Sequence, residues 1–149
     1  MTRETLEGKI IALGVTGSIA AVEVVRLAHE LRRRGAVVQA VMTQAAARIV
    51  HPDAVTYATG RPALTGITGM VEHVLYCGEG GKADLFLVAP CTANTLAKIA
   101  LGMDDTPVTT FATTAIGSGM PVILAPAMHA SMYRHPAISG HLAQLGRWG

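Results

Sequence analysis

Four short apolar runs, three of them rich in β-branched residues, recur along this 149-residue chain, each closed by a hydroxyl residue or a proline. They occupy residues 9–15 (KIIALGV), 36–42 (AVVQAVM), 84–89 (DLFLVA) and 120–125 (MPVILA). The first ends at Thr16-Gly17-Ser18, the second at Thr43, the third at Pro90 and the fourth at Pro126. Runs of this length without polar alternation read as strands buried on both faces, the signature of a parallel sheet. Parallel strands need crossovers, and the stretches between these runs carry helical patterns. The expectation is an α/β, three-layer, doubly wound parallel sheet forming a single domain.

The crossovers are legible to different degrees. Over residues 18–34, Ala20, Val24, Leu27, Ala28 and Leu31 make one apolar stripe, with Glu23, Arg26, Glu30 and Arg34 opposite. Gly35 stops that helix, and Arg32, Arg33 and Arg34 suit the negative end of its dipole. Further helices are expected over 44–50, from Pro52-Asp53 to about Thr59, and over 92–101, 106–116 and 136–145, the last stopped by Gly146. Residues 64–70 are interrupted by glycine and fit no pattern, and Gly78, Gly80 and Gly81 mark a loop. The chain ends at Arg147-Trp148-Gly149, where this architecture calls for another strand, so the expectation is one domain over 1–149 with its C-terminal part missing.

Composition narrows the class. Half the residues are hydrophobic and 15% are charged, the reverse of a disordered chain. A net charge of +2 and 4% aromatics argue against a tight nucleic-acid binder. No apolar run approaches the roughly 20 residues of a spanning helix. Residues 10–22 superficially resemble a signal peptide, but Glu4 and Glu7 precede them and Gly14, Thr16, Gly17 and Ser18 interrupt them. Two cysteines, Cys77 and Cys91, make no disulfide framework, so a reducing, cytoplasmic setting is expected. The apolar surplus calls for cover by other subunits.

In an open parallel sheet, ligands bind at the carboxyl ends of the strands. Here those ends carry small, hydroxyl, amide and imidazole groups rather than carboxylates. At Thr16-Gly17-Ser18 a glycine permits close approach, and a serine opens a helix whose N–H groups suit an anion. The spacing is neither G-x-G-x-x-G nor a P-loop, which favours a mononucleotide phosphate over a pyrophosphate, with Thr43 as a second hydroxyl. An ordinary serine cap is the competing reading. Of six histidines none pairs at i, i+4, so no metal site is expected. His29 and His141 read as surface residues, and His51 and His135, each before a proline, as structural. His129 follows a strand end and His73 precedes the glycine loop, which leaves these two as catalytic candidates. Either Asn94 or Thr92, two residues before it, reads as a helix cap, and Asn94 reads alternatively as a buried amide that orients a ligand; Cys91 reads as a small buried hydrophobe or a reactive thiol.

Taken in order, V-T-G-S-I-A-A (15–21), V-M-T-x-A (41–45), E-H-V (72–74), A-D-L-F-L-V-A-P-C-T-A-N-T-L-A-K-I-A (83–100), G-M-D-D (102–105) and A-P-A-M-H-x-x-M-Y-x-H-P (125–136) resemble the flavin-containing cysteine decarboxylases. The likeness covers nearly the whole chain. It implies a Rossmann-like (flavodoxin-like) fold, FMN as cofactor, and homo-oligomers, trimers or dodecamers, with the flavin at a subunit interface. By the same likeness Gly17, Ser18 and Thr43 hold the FMN phosphate, and Pro90, Thr92, Ala93 and Asn94 line the ring. His73 and Asn94 match catalytic positions, and Met128 and His129 a substrate-binding motif. The implied reaction decarboxylates 4′-phosphopantothenoylcysteine to 4′-phosphopantetheine in coenzyme A synthesis. The cysteinyl group is oxidised to a thioaldehyde, carbon dioxide leaves, and the enethiolate is reduced again, with His73 as base or orienter.

The sequence departs from the family pattern at three places. His129 stands where the family has asparagine, and an imidazole can still bind a carboxylate. Cys91 replaces a small residue. The downstream clamp segment, with its proton-donating cysteine, is absent from these residues, which restricts the expectation to the oxidative half. Other FMN proteins of the same fold remain open as alternatives: a prenyl-FMN synthase-like prenyltransferase, a flavin reductase, or a non-catalytic regulatory subunit.

Overall fold

Strands β1 (Ile10–Val15), β2 (Val37–Met42), β3 (Leu85–Cys91) and β4 (Val122–Pro126) form one parallel sheet in the order β2-β1-β3-β4. This arrangement comes from a computed structural model that describes residues 5–149. Glu4, weighed above against a signal peptide, lies outside the described residues. Leu13 pairs with Ala40 of β2 on one side and with Leu87 of β3 on the other. The chain thus leaves β1 for one flank and returns to the opposite flank. Its topological switch point lies between the carboxyl ends of β1 and β3, where such sheets open a crevice.

Both faces of the sheet are covered over β1 and β2, as their unalternated sequences require, whereas β4, expected to be buried on both faces, has no fully buried residue. On one face Leu13, Val15, Val38 and Met42 pack beneath α1 (Val24–Arg33) and α3 (Pro52–Thr59), which contribute Val24 and Val55. On the other, Phe86 and Val88 lie against α4 (Glu72–Cys77), α5 (Ala93–Leu101) and α6 (Pro107–Gly117), through Tyr76, Leu96 and Phe111. Phe111 sits 5.9 Å from Phe86 and 6.4 Å from Tyr76, centroid to centroid. At the β4 edge the cover thins: Ile123 is 53% exposed, and its β3 partner Leu87 is half-buried.

Several boundaries differ from the sequence expectation. The first helix is two pieces, a 3-10 turn (Ile19–Glu23) capped by Ser18 and then α1, because a tight first turn follows the strand directly. The next, α2 (Gln44–Ala47), stops three residues early and continues as turns. Helix α4 and the four-residue α7 (Ala130–Tyr133) are too short to show a 3.6-residue period. The last helix, α8 (Pro136–Trp148), runs through Gly146 instead of stopping there. Gly140 and Gly146 face open space, and the inward Ile138, Leu142 and Leu145 offset a glycine penalty of about 1 kcal/mol. Strand β3 continues through Pro90 to Cys91, with a shift in register after Val88, and β4 begins at Val122 rather than Met120. Leu64, in the unassigned stretch, makes a single parallel bridge to Val41 and covers the outer edge of β2.

Candidate active site

The crevice is organised by Thr16, the residue that follows β1. Its hydroxyl donates to the Pro90 carbonyl at 2.7 Å and accepts from the Thr92 N–H at 3.0 Å. Thr16 is 1% exposed, so both bonds form away from water. The carboxyl ends of β1 and β3 are thereby pinned together at the switch point. Thr43 N–H donates to the Val15 carbonyl at 3.0 Å, which ties in the end of β2. The sequence pattern places Thr16 in the crevice but assigns it no role; a hydroxyl residue closing a buried strand is the signal it offers.

Gly17 follows. A Cβ built there would lie 2.5 Å from the Ala45 Cβ, so only glycine lets the first turn approach α2 this closely. Ser18 accepts from Ala20 N–H at 3.2 Å, and Thr43 accepts from Ala46 N–H at 3.1 Å. Both hydroxyls are therefore caps, the competing reading for Ser18. A hydroxyl also carries a proton, and neither Ser18 nor Thr43 donates to any of the described residues. The ends of β1 and β2 thus each carry an O–H donor uncommitted among the described residues, the first beside Gly17, the chemistry of a small anion site.

At the end of β3, Thr92 caps α5: its hydroxyl accepts from Thr95 N–H at 3.1 Å and contacts the Thr95 hydroxyl at 3.1 Å. With the cap supplied by Thr92, Asn94 sits in the first turn of α5 and is exposed. The expectation of a buried amide is corrected; the amide is free and faces solvent in the single chain. Ala93 is buried beneath it. Cys91 is wholly buried among Val88 and Leu96, with its thiol directed to the Thr92 carbonyl at 3.7 Å. Burial pushes that thiol up to about 12, and Cys77 likewise, so both are protonated and inert at neutral pH.

Pairing of Cys91 with Pro126, and the 2.9 Å bond from Ala127 N–H to the Cys91 carbonyl, bring the end of β4 alongside. Met128 follows half-buried, and His129 is exposed at the start of α7. His51 and His135 are structural: each accepts through Nδ1, from Asp53 N–H and Ala137 N–H, both at 3.1 Å. The arginines at the end of α1 are engaged within the fold. Arg33 and Arg34 pair with Glu30 at 2.8 and 3.0 Å, and Arg32 donates to the Ala58 carbonyl.

His73 stands apart. It lies on α4, which packs against α6, and no hydrogen bond of the described residues joins it to the crevice. Its Nδ1 is buried without a partner. Around it Met70, Val71, Val74 and Leu75 are exposed, an apolar patch at the base of an imidazole. Gly17, Ser18, Thr43, Pro90, Thr92, Ala93, Asn94, Met128 and His129 thus lie at the strand ends and the first turns that follow them, and His73 lies on α4, joined to none of them by a hydrogen bond.

The chain belongs to the Flavoprotein family, which matches residues 1–149. It is 54% identical over 145 residues to the coenzyme A biosynthesis bifunctional protein CoaBC of Thermococcus kodakarensis, covering 97% of this chain and 36% of that protein. It is 35% identical over 146 residues to a probable phosphopantothenoylcysteine decarboxylase of Streptococcus mutans, covering 95% of this chain and 79% of that one. Among solved structures, the FMN-dependent cysteine decarboxylase SpaF superposes with a TM-score of 0.86 at 31% identity, over 97% of this chain and 83% of that chain. The chain thus spans about a third of the bifunctional relatives and most of the single-function ones. Among the described residues no helix is long and apolar enough to cross a membrane, and no three metal-ligating side chains gather.

Proposed function

We propose that this chain binds FMN in the crevice between β1 and β3 and decarboxylates 4′-phosphopantothenoylcysteine in coenzyme A synthesis, its own residues serving the oxidative half of the route to 4′-phosphopantetheine. The observation that carries the reading is the pair of uncommitted hydroxyl protons, on Ser18 and Thr43, beside a glycine that cannot hold a Cβ. Such a cradle fits one terminal phosphate. The family and its FMN-dependent and decarboxylase relatives support the rest.

FMN, when bound, supplies reversible two-electron oxidation of the substrate's cysteinyl carbon. The chain's own residues bind and orient. Gly17, Ser18 and Thr43 hold the phosphate, and Pro90, Thr92 and Ala93 form the wall against the ring. Asn94, free and exposed, hydrogen-bonds substrate or ring, and Met128 and His129 receive the substrate carboxylate at the adjoining strand end. His73 holds or moves a proton. Because no hydrogen bond ties His73 into its own crevice and its helix is rimmed by exposed apolar residues, the reading includes a homo-oligomer, a trimer or dodecamer, in which His73 of one copy completes the crevice of another. Exposed Ile123 on β4 adds to the apolar surface available for such packing. The buried free thiols fit a cytoplasmic setting.

The first test is the visible spectrum of the purified protein, followed by heat release and chromatography of the pigment. FMN at close to one per chain is expected, with carbon dioxide and reduced product assayed separately on phosphopantothenoylcysteine. FAD in place of FMN would sink the single-phosphate reading. A colourless protein that refuses added FMN would sink the flavin site.

A further inference from the structure

The loop before His73 is closed by a buried carboxylate. Glu72 is 8% exposed, and its two oxygens bind one residue: Oε2 accepts from Thr68 N–H at 2.9 Å and Oε1 from the Thr68 hydroxyl at 2.5 Å. The Thr68 hydroxyl in turn accepts from Met70 N–H at 3.1 Å, and the Thr68 carbonyl accepts from Val71 N–H at 3.0 Å. Between the ends of this latch sits Val71 at φ 46°, ψ 53°, the single non-glycine residue with positive φ among those described. A β-branched residue adopts the left-handed region only where its surroundings over-determine it. The Val71 carbonyl accepts from Val74 and Leu75 N–H, so the strained residue launches α4. His73 is the second residue of that helix, with Nδ1 buried and unpartnered.

We infer that Glu72, through its two-oxygen grip on Thr68, is a positioning residue that sets the direction of the His73 imidazole. The latch spends a buried carboxylate on an otherwise exposed turn, and the element it fixes is the first turn beneath the histidine. Because Nδ1 meets no partner in the fold, hydrogen bonding within the chain leaves the ring unheld, and its direction comes from the backbone that carries it. The inference rests on the reading of His73 as the group that moves or holds a proton.

The experiment uses the FMN-loaded chain with Thr68→Val, Thr68→Ser and Glu72→Gln, and His73→Gln as the reference. Ring resonances of His73 are followed by nitrogen-15 NMR, with the other five histidines as internal controls. In Thr68→Val and Glu72→Gln the His73 signals shift or split while the others stay. FMN content and KM hold, and kcat falls on the order of ten-fold, the loss from a misaimed group. Thr68→Ser restores both readouts. His73 signals unmoved in both variants would overturn the inference, as would a loss of kcat that tracks loss of FMN. Full turnover in His73→Gln would instead overturn the role given to His73, and the NMR result would still decide the latch.

Discussion

The hydroxyl of Thr16 donates to the carbonyl of Pro90 at 2.7 Å across the switch point of the sheet, and the same oxygen receives the Thr92 N–H. One buried side chain thus sets the relative height of two strand ends that both line the crevice. Replacing it with the isosteric valine leaves the half-buried Thr92 N–H without its partner, a cost of about 1–3 kcal/mol, and leaves the Pro90 carbonyl only the longer 3.3 Å bond from the residue-16 N–H. Thr16→Val is expected to lower thermal stability and to weaken FMN binding, and Thr16→Ser to restore both. Equilibrium titration of FMN beside a melting curve checks this; a Thr16→Val protein that binds FMN as tightly as the parent refutes the assignment.

Gly17 makes a separate prediction, because its constraint is contact rather than backbone conformation. A methyl group at 17 would sit 2.5 Å from the Ala45 methyl, which has no rotamer to yield. Gly17→Ala should therefore cost about 1–3 kcal/mol and push α2, with the Thr43 hydroxyl at its cap, out of place. Adding Ala45→Gly to the same chain removes the opposing atom and should recover FMN affinity. Failure of the double variant to recover would mean that Gly17 serves the ligand directly rather than the approach of α2.

Much of this arrangement is legible in the amino-acid sequence. Unalternated strands such as residues 10–15 read as buried on both faces, and β1 is so buried from Ile11 to Val15, so the layers, the parallel sheet and the side of the sheet that carries chemistry follow from pattern alone. The capping chemistry of Ser18 is legible for the same reason, since a hydroxyl after a strand opens the next helix. The features that pattern does not show are set by tertiary contact. The six residues of α4 carry no readable period, and the Thr68–Glu72 latch spans a stretch whose glycines read as loop. The exposure of Asn94 depends on which of two neighbours caps α5, a choice that composition does not make.

The two cysteines should be silent. Desolvation raises both thiols to about 12, so at neutral pH almost no thiolate is present to attack a reagent. Native protein mixed with a chromogenic disulfide at neutral pH should react no faster than it unfolds, and both thiols should react at once in denaturant. Rapid labelling of Cys91 in the folded state would show that the end of β3 opens, contrary to its burial beside Leu96.

Acid offers a test of the latch through stability alone. Hydrogen bonds from the Thr68 hydroxyl, first, and from the Thr68 N–H hold the Glu72 carboxyl below its ordinary value of 4.5. A carboxyl whose folded value is depressed adds stability that is complete above the unfolded value and disappears as pH falls through the folded one. The parent should therefore exceed Glu72→Gln in stability near neutrality and lose that margin below pH 4.5, while the variant's own curve stays flatter over the same interval. Denaturant melts of both proteins, taken from about pH 7 to about pH 3, would show the two curves converging. Curves that run parallel across the interval would mean that the carboxylate's charge takes no part in holding the Thr68 turn.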